Sequence, residues 1–181
     1  ALGDKGGQIN LTTGKFYRIT GSSTQHKGVT PDISFPTVFP ADKYGESSEK
    51  SAMPWDEIKS SNYKPWGDLK TDLSFLAKQH HQRMKTSKEY NYLLEDIAEF
   101  KNKDNEKSVP LSETVLKKQR DDEEQKSLTR ENTRRVSRGL IALKKGETKP
   151  KGEKSYDFIK EESLLIVTDF IADGKLAKLN K

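Results

Sequence analysis

Two serine–lysine pairs, Ser47 with Lys50 and Ser61 with Lys64, stand at the S-x-x-K spacing. In such a pair the lysine takes the hydroxyl proton and the serine attacks a carbonyl, provided burial keeps the amine neutral. Both pairs lie in polar, loop-like sequence, where an amine stays charged, so neither is expected to act. No G-x-S-x-G elbow is present. The histidines are His26, His80 and His81. Neighbours on a helix point about 100° apart, so His80 and His81 do not readily share one ion, and no H-E-x-x-H occurs. They read as solvated or partly packed rings. The glycines clustered before residue 8 form neither G-x-x-x-x-G-K-[ST] nor G-x-G-x-x-G. No catalytic, metal-binding or cofactor-binding residue is therefore assigned, and no cofactor is expected.

Arg130, Arg134 and Arg138 repeat every four residues, with Arg135 beside them. An arginine stripe can bind phosphates. Against that, Asp121–Glu124 lie one or two turns upstream and would repel a nucleic-acid backbone, and no aromatic residue interleaves for base stacking. A solvated, self-paired face is the expected reading. The alternative is a free-standing helical binding module for acidic partners or nucleic acid through this face. Trp55 and Trp66 flank PWDEIKSSNYKPWG and are expected to anchor it on a domain.

The elements that carry these residues have little apolar material to work with. Of 181 residues, 31% are apolar and 34% charged, so the core is small for the length. The net charge is +5. Lys117–Lys145 hold ten Lys/Arg against five Asp/Glu, and the remainder balances at 23 against 23. No run of about 18 apolar residues could span a membrane. No signal peptide is visible, and the start at Ala1 fits a processed protein or an excised piece. Cysteine is absent, which excludes disulfides and thiolate chemistry and leaves the compartment open.

Residues 3–8 are hairpin-tip chemistry, and Ile9, Leu11, Thr13, Tyr17 and Ile19 share the alternation of a half-buried strand, with a bulge near Gly14. Gly21 ends that strand, and Gly28 and Pro31-Asp32 make a second turn. From about residue 53 the periodicity is helical. Asp72 is expected to cap a helix carrying Leu73, Leu76, His80 and Met84. Thr86 and Glu89 form a capping box before Tyr90, Leu93, Leu94, Ile97 and Phe100. Ser112 caps a long polar helix whose one strongly apolar residue between Lys117 and Arg135 is Leu128. That helix is expected to rely on Lys117–Asp121, Lys118–Asp122 and Glu131–Arg135 pairs, docking at its ends through Val115, Leu116, Val136, Leu140 and Ile141. Residues 144–155 read as a linker. A last helix carries Ile159, Leu164, Leu165, Val167, Phe170 and Ile171 and stops at Gly174.

GGQINLTTGKFYRITGSSTQHKGVTPDI, residues 6–33, resembles the end of the protease core in the C-terminal processing peptidases. Leu11, Thr13, Phe16, Tyr17, Gly21, Ser23, Thr24, Gln25, Gly28, Val29, Pro31 and Asp32 match that family's pattern in order. Pro54-Trp55-Asp56 and the charged helical region after it resemble its tail-specific branch. The family's serine nucleophile and lysine base sit in motifs upstream of the matching strand. Lys15, in Thr13-Gly14-Lys15, lacks the G-K-G-T context of that base. The resemblance therefore implies the C-terminal part of a periplasmic serine endopeptidase that cleaves proteins recognised by apolar C-terminal tails. This chain would be inactive alone and would brace the protease platform. The fold class expected is α+β, mainly α: a short N-terminal β segment, then a helical C-terminal domain. The core would end over residues 1–40, a linker would fill 41–52 and the helical domain 53–181. Implied partners are the protease and substrate-recognition domains of the same parent chain, apolar-tailed substrates and a protein adaptor, with nucleic acid not expected. Gln25 and His26 are expected to hold the turn rather than line a substrate cleft. Without the rest of its sheet, the strand would leave Ile9, Leu11 and Tyr17 on an open edge.

Overall fold

The computed structural model describes residues 6, 13–64 and 69–172. The described residues hold a one-turn helix, α1 (Ala41–Tyr44), and four long helices: α2 (Leu69–Thr86), α3 (Lys88–Asn105), α4 (Glu113–Ser137) and α5 (Phe158–Ala172). The chain divides into two units, Ala1–Ile97 with Leu164–Lys181, and Ala98–Ser163.

The first unit is built on α2. Leu76, His80 and Met84 recur every four residues and are buried, as their spacing predicts. The ring of Phe35 meets the His80 edge at 5.0 Å, so the extended piece before Pro36 lies on this helix. Arg83 pairs with Asp169 at 2.5 Å and ties α2 to the end of α5. The helix begins at Leu69, so Asp72 lies inside it rather than at its cap. One residue separates α2 from α3. That residue, Ser87, accepts the Tyr90 amide at 3.2 Å through its hydroxyl. The cap is thus Ser87, not Thr86, whose hydroxyl instead donates to the Arg83 carbonyl at 3.3 Å. Ser87 stands between the two helices, and its carbonyl already accepts the Asn91 amide at 3.2 Å, as an N-cap residue does.

Among the described residues the expected N-terminal β segment is not seen. Among residues 13–64 only two isolated antiparallel bridges form, Tyr17 with Ser23 and Ser22 with Glu57. Ile9, Leu11, the 3–8 turn apart from Gly6, Trp66 and Gly174 lie outside the described residues. The stretch 41–52 contains α1 and a 3₁₀ turn over Glu46–Ser48.

In the second unit α4 runs 25 residues and buries one, Arg135. Ser112 sits at its N-cap, without a bond from its side chain. The other end closes on Gly139 at φ 72. There the Gly139 amide reaches the Val136 carbonyl at 3.0 Å and the Leu140 amide the Arg135 carbonyl at 2.8 Å. This is the paired bonding that a left-handed residue after a helix permits. The apolar ends do not dock as expected: Val136 and Ile141 are 63% and 85% exposed. Side chains fix α4 instead. Lys126 reaches Glu99 on α3 at 2.7 Å, and Lys103 on α3 reaches Glu123 at 2.6 Å.

Nor does the stretch 144–155 behave as a linker. Lys145 pairs with Asp121 at 3.1 Å and Glu124 at 3.4 Å, and Lys149 with Glu131 at 2.9 Å. Asp121 and Glu131, expected to pair along the helix, thus reach the returning loop, and Glu131 also keeps Arg134 at 3.8 Å along α4. Asn132 acts as a peptide group would, donating to the Leu143 carbonyl at 2.8 Å and accepting its amide at 2.7 Å. Asp157 then caps α5 by accepting the Lys160 amide at 3.0 Å.

Candidate functional site

The serine–lysine pairs do not assemble. The Ser47 hydroxyl donates to the Ala41 carbonyl at 2.7 Å and the Ser61 hydroxyl to the Ile19 carbonyl at 2.9 Å. Each proton is committed to main chain, and Lys50 and Lys64 are exposed. The His80 and His81 rings lie edge to face at 5.6 Å, His81 Nδ1 lies 2.5 Å from the Ala77 carbonyl, and His26 stands in a separate turn. Among the described residues no group of three or more His, Cys, Asp or Glu is arranged to hold a metal. The arginine stripe is partly consumed within the unit. Arg135 is buried, donating to the Ile141 carbonyl at 2.6 Å and pairing with Glu153 at 2.5 Å. Arg134 stands 5.8 Å from the Tyr156 ring centre. An open concavity of about 470 Å³ in the second unit is lined by Glu99, Lys103, Val109, Leu116 and Glu123, and its lysine is paired with both glutamates.

What the structure does bring together is residues 15–28 and 54–61, all within the first unit. The Gly21 amide donates to the Arg18 carbonyl at 2.8 Å and the Arg18 amide to the Ser22 carbonyl at 3.0 Å, closing a tight hairpin. The outer edge of that hairpin lies antiparallel to the second stretch. The Ser23 amide bonds the Asp56 carbonyl at 3.1 Å, the Ile58 amide bonds the Gly21 carbonyl at 2.9 Å, and the Ser61 amide bonds the Ile19 carbonyl at 3.0 Å. Residue 19 thus faces 61 where regular pairing would give 60. The extra residue is a bulge, which bends the strip and ends the ladder.

Gly21 is required twice over. Its φ is +91, and a Cβ there would lie 2.1 Å from the Ile58 carbonyl oxygen. Ser23 is 2% exposed, and its oxygen accepts the Gln25 amide at 3.0 Å. Gln25 reaches Glu46 at 2.6 Å. His26 takes the left-handed φ of 64 at the turn, and the Gly28 amide closes it on the Thr24 carbonyl at 2.8 Å. The motif residues Gly21, Ser23, Gln25 and Gly28 thus shape a turn and seat it.

Charge finishes the seating. Lys15 donates to the Pro54 carbonyl at 3.0 Å and lies 3.1 Å from Asp56 Oδ2. The Tyr17 hydroxyl donates to the same oxygen at 3.0 Å. That hydrogen bond holds the phenol above its usual 10.0; burial and the carboxylate's charge push the same way, and Lys15 opposes them. The Lys27 ammonium sits 3.6 Å from the Trp55 ring centre, so Trp55 is an anchor for this turn.

The second strip, PWDEIKSS, has no alternating apolar pattern, so nothing in the sequence marked it as a pairing partner. A family described as the C-terminal domain of tail specific protease (DUF3340) matches residues 39–172. This chain belongs to that family. It is also 32% identical, over 178 residues, to the tail-specific protease of Haemophilus influenzae. That match covers 97% of this chain and 26% of the Haemophilus protein, so the chain spans about a quarter of the length of its relative. The seated turn precedes the region matched by this tail-specific protease domain, and the strip that receives it lies inside that region.

Proposed function

We propose that this chain is the C-terminal part of a periplasmic serine endopeptidase that cleaves proteins recognised by apolar C-terminal tails, and that its own role is to brace the protease platform. Residues 1–40 would end the protease core, 41–52 would link, and 53–181 would form the helical domain. The observation that carries this reading is the seating of residues 15–28 on 54–61. The stretch that resembles the end of a protease core is held by main-chain bonds, a buried serine and an aspartate shared by Lys15 and Tyr17. A brace needs such a joint between the sheet it supports and the helices behind it. The serine and lysine of the reaction would come from the preceding part of the parent polypeptide, with protein substrates and an adaptor as its partners.

Incubation of the purified chain with a protein ending in an apolar tail is expected to leave the protein intact, and the parent polypeptide to cleave it. Cleavage by the chain alone, unaffected by S47A and S61A, would overturn the assignment of catalysis to the missing part. In the parent, Gly21→Val is expected to lower both cleavage and melting temperature. Unchanged cleavage by a variant whose joint has opened would end the bracing role.

A further inference from the structure

From Leu164 to Ile171 helix α5 reads LLIVTDFI, with apolar side chains round its whole circumference. A helix of that composition is normally covered on all sides. Within the first unit it is covered on one. Ile166, Asp169 and Phe170 form the half-buried side, with Asp169 held by Arg83. Leu164, Val167 and Ile171 fall on the opposite side at spacings of three and four, and are 52%, 52% and 60% exposed. The sequence is built for two neighbours, and among the described residues of this unit one is present.

We infer that the Leu164–Val167–Ile171 stripe is an interface, covered by an apolar surface of the part of the parent polypeptide that precedes this chain. The inference rests on the reading of this chain as part of a longer protease. The occupant follows from proportion and position. The chain corresponds to 26% of its relative, and the family it matches is described as a C-terminal domain, so in that relative the larger part lies before it. The stripe carries no charge of its own, so a polar or ionic partner would gain little from it, whereas an apolar layer removes three large side chains from water.

The absence of cysteine provides the test. Val167→Cys introduces a single thiol at an exposed position, and Gln125→Cys, on exposed α4, supplies the reference rate. Labelling of each by a maleimide is measured in this chain and in the parent polypeptide, with any cysteine of the preceding part changed to serine. The V167C rate relative to Q125C is expected near one in the chain and at least tenfold lower in the parent. An unchanged ratio in the parent overturns the inference. So does slow V167C labelling in the chain that quickens on dilution, because a second copy would then be the occupant. Cleavage of an apolar-tailed protein, assayed on the same parent, reads the protease assignment separately. Protection without cleavage keeps the interface and removes the protease; cleavage without protection does the reverse.

Discussion

Residues 15–61 and the α4 region are both poor in buried apolar groups, yet they are held in different ways. In the first, main chain bonds main chain, and side-chain identity matters most where a side chain must be missing, at Gly21. In the second, side chains reach out to main chain or to opposite charge, at Arg135, Asn132, Lys145 and Lys149. A joint made of backbone depends on shape and leaves a short motif of fixed spacing. A joint made of many exposed charges can exchange partners and leaves mainly a composition. The exception in the second region is Arg135, where burial makes one cation irreplaceable.

That exception supplies the largest expected effect. Arg135→Ala strands the Glu153 carboxylate and the Ile141 carbonyl, and removing one partner of a buried pair costs about 3–5 kcal/mol. Urea unfolding checks it; a loss as small as that of an exposed pair would erase the distinction between Arg135 and its neighbours. Gly21→Val comes next, at roughly 3 kcal/mol, because a left-handed backbone and a displaced Ile58 carbonyl act together. Hydrogen exchange at the Ile58 amide should rise in that variant while amides of α4 keep their protection. Equal loosening of both regions would break the comparison.

The smallest effect depends on pH. Hydrogen bonds from Lys126 first, then Lys103, hold the Glu99 carboxyl below its usual 4.5. A carboxyl lowered by folding adds stability above its unfolded value, and that stability fades as pH falls through the folded one. Glu99→Gln should therefore be slightly less stable than wild type at neutral pH, by about 0.5 kcal/mol for a half-exposed pair. The gap should close as the pH falls below 4.5. Added salt should narrow it too. Lys103 and Lys145, raised above 10.5 mainly by Glu123 and Asp121, lose their contribution at the other extreme, as pH climbs through their folded values. A gap between E99Q and wild type that stays constant from neutral to acid pH would show that this region is not held by charge.

The helices were legible because periodicity survives a small core. The spacing of Leu76, His80 and Met84 names the buried side of α2 whatever its partners are. The cap of α3 was legible to within a residue, since Thr86 and Ser87 are adjacent hydroxyls, whereas Asp72 lies inside the helix it was expected to cap. Asp157, just before Phe158-Ile159, carried a readable cap signal that went unused. The expected strand is not shown among the described residues, which leave out Ile9 and Leu11, and its pairing was the least legible part. Alternation shows that a segment can pair; it does not name a partner, and PWDEIKSS has no alternation of its own. Ion pairs were predicted along α4 because i,i+4 spacing is visible in sequence, whereas Lys145 and Lys149 return through Gly139 and a loop whose path is not. Of the seated turn, the glycines and Ser23 could be picked out by resemblance. Their contact with Asp56 and Ile58 could not.

The Asn132 clasp gives the α4 region a chemical clock. Its side-chain amide both gives and takes a hydrogen bond with Leu143. Slow spontaneous deamidation would turn the giving nitrogen into oxygen, leaving two acceptors face to face where a donor had been. The returning loop would then loosen in aged protein without any change in the gene, and the converted fraction would be visible by mass.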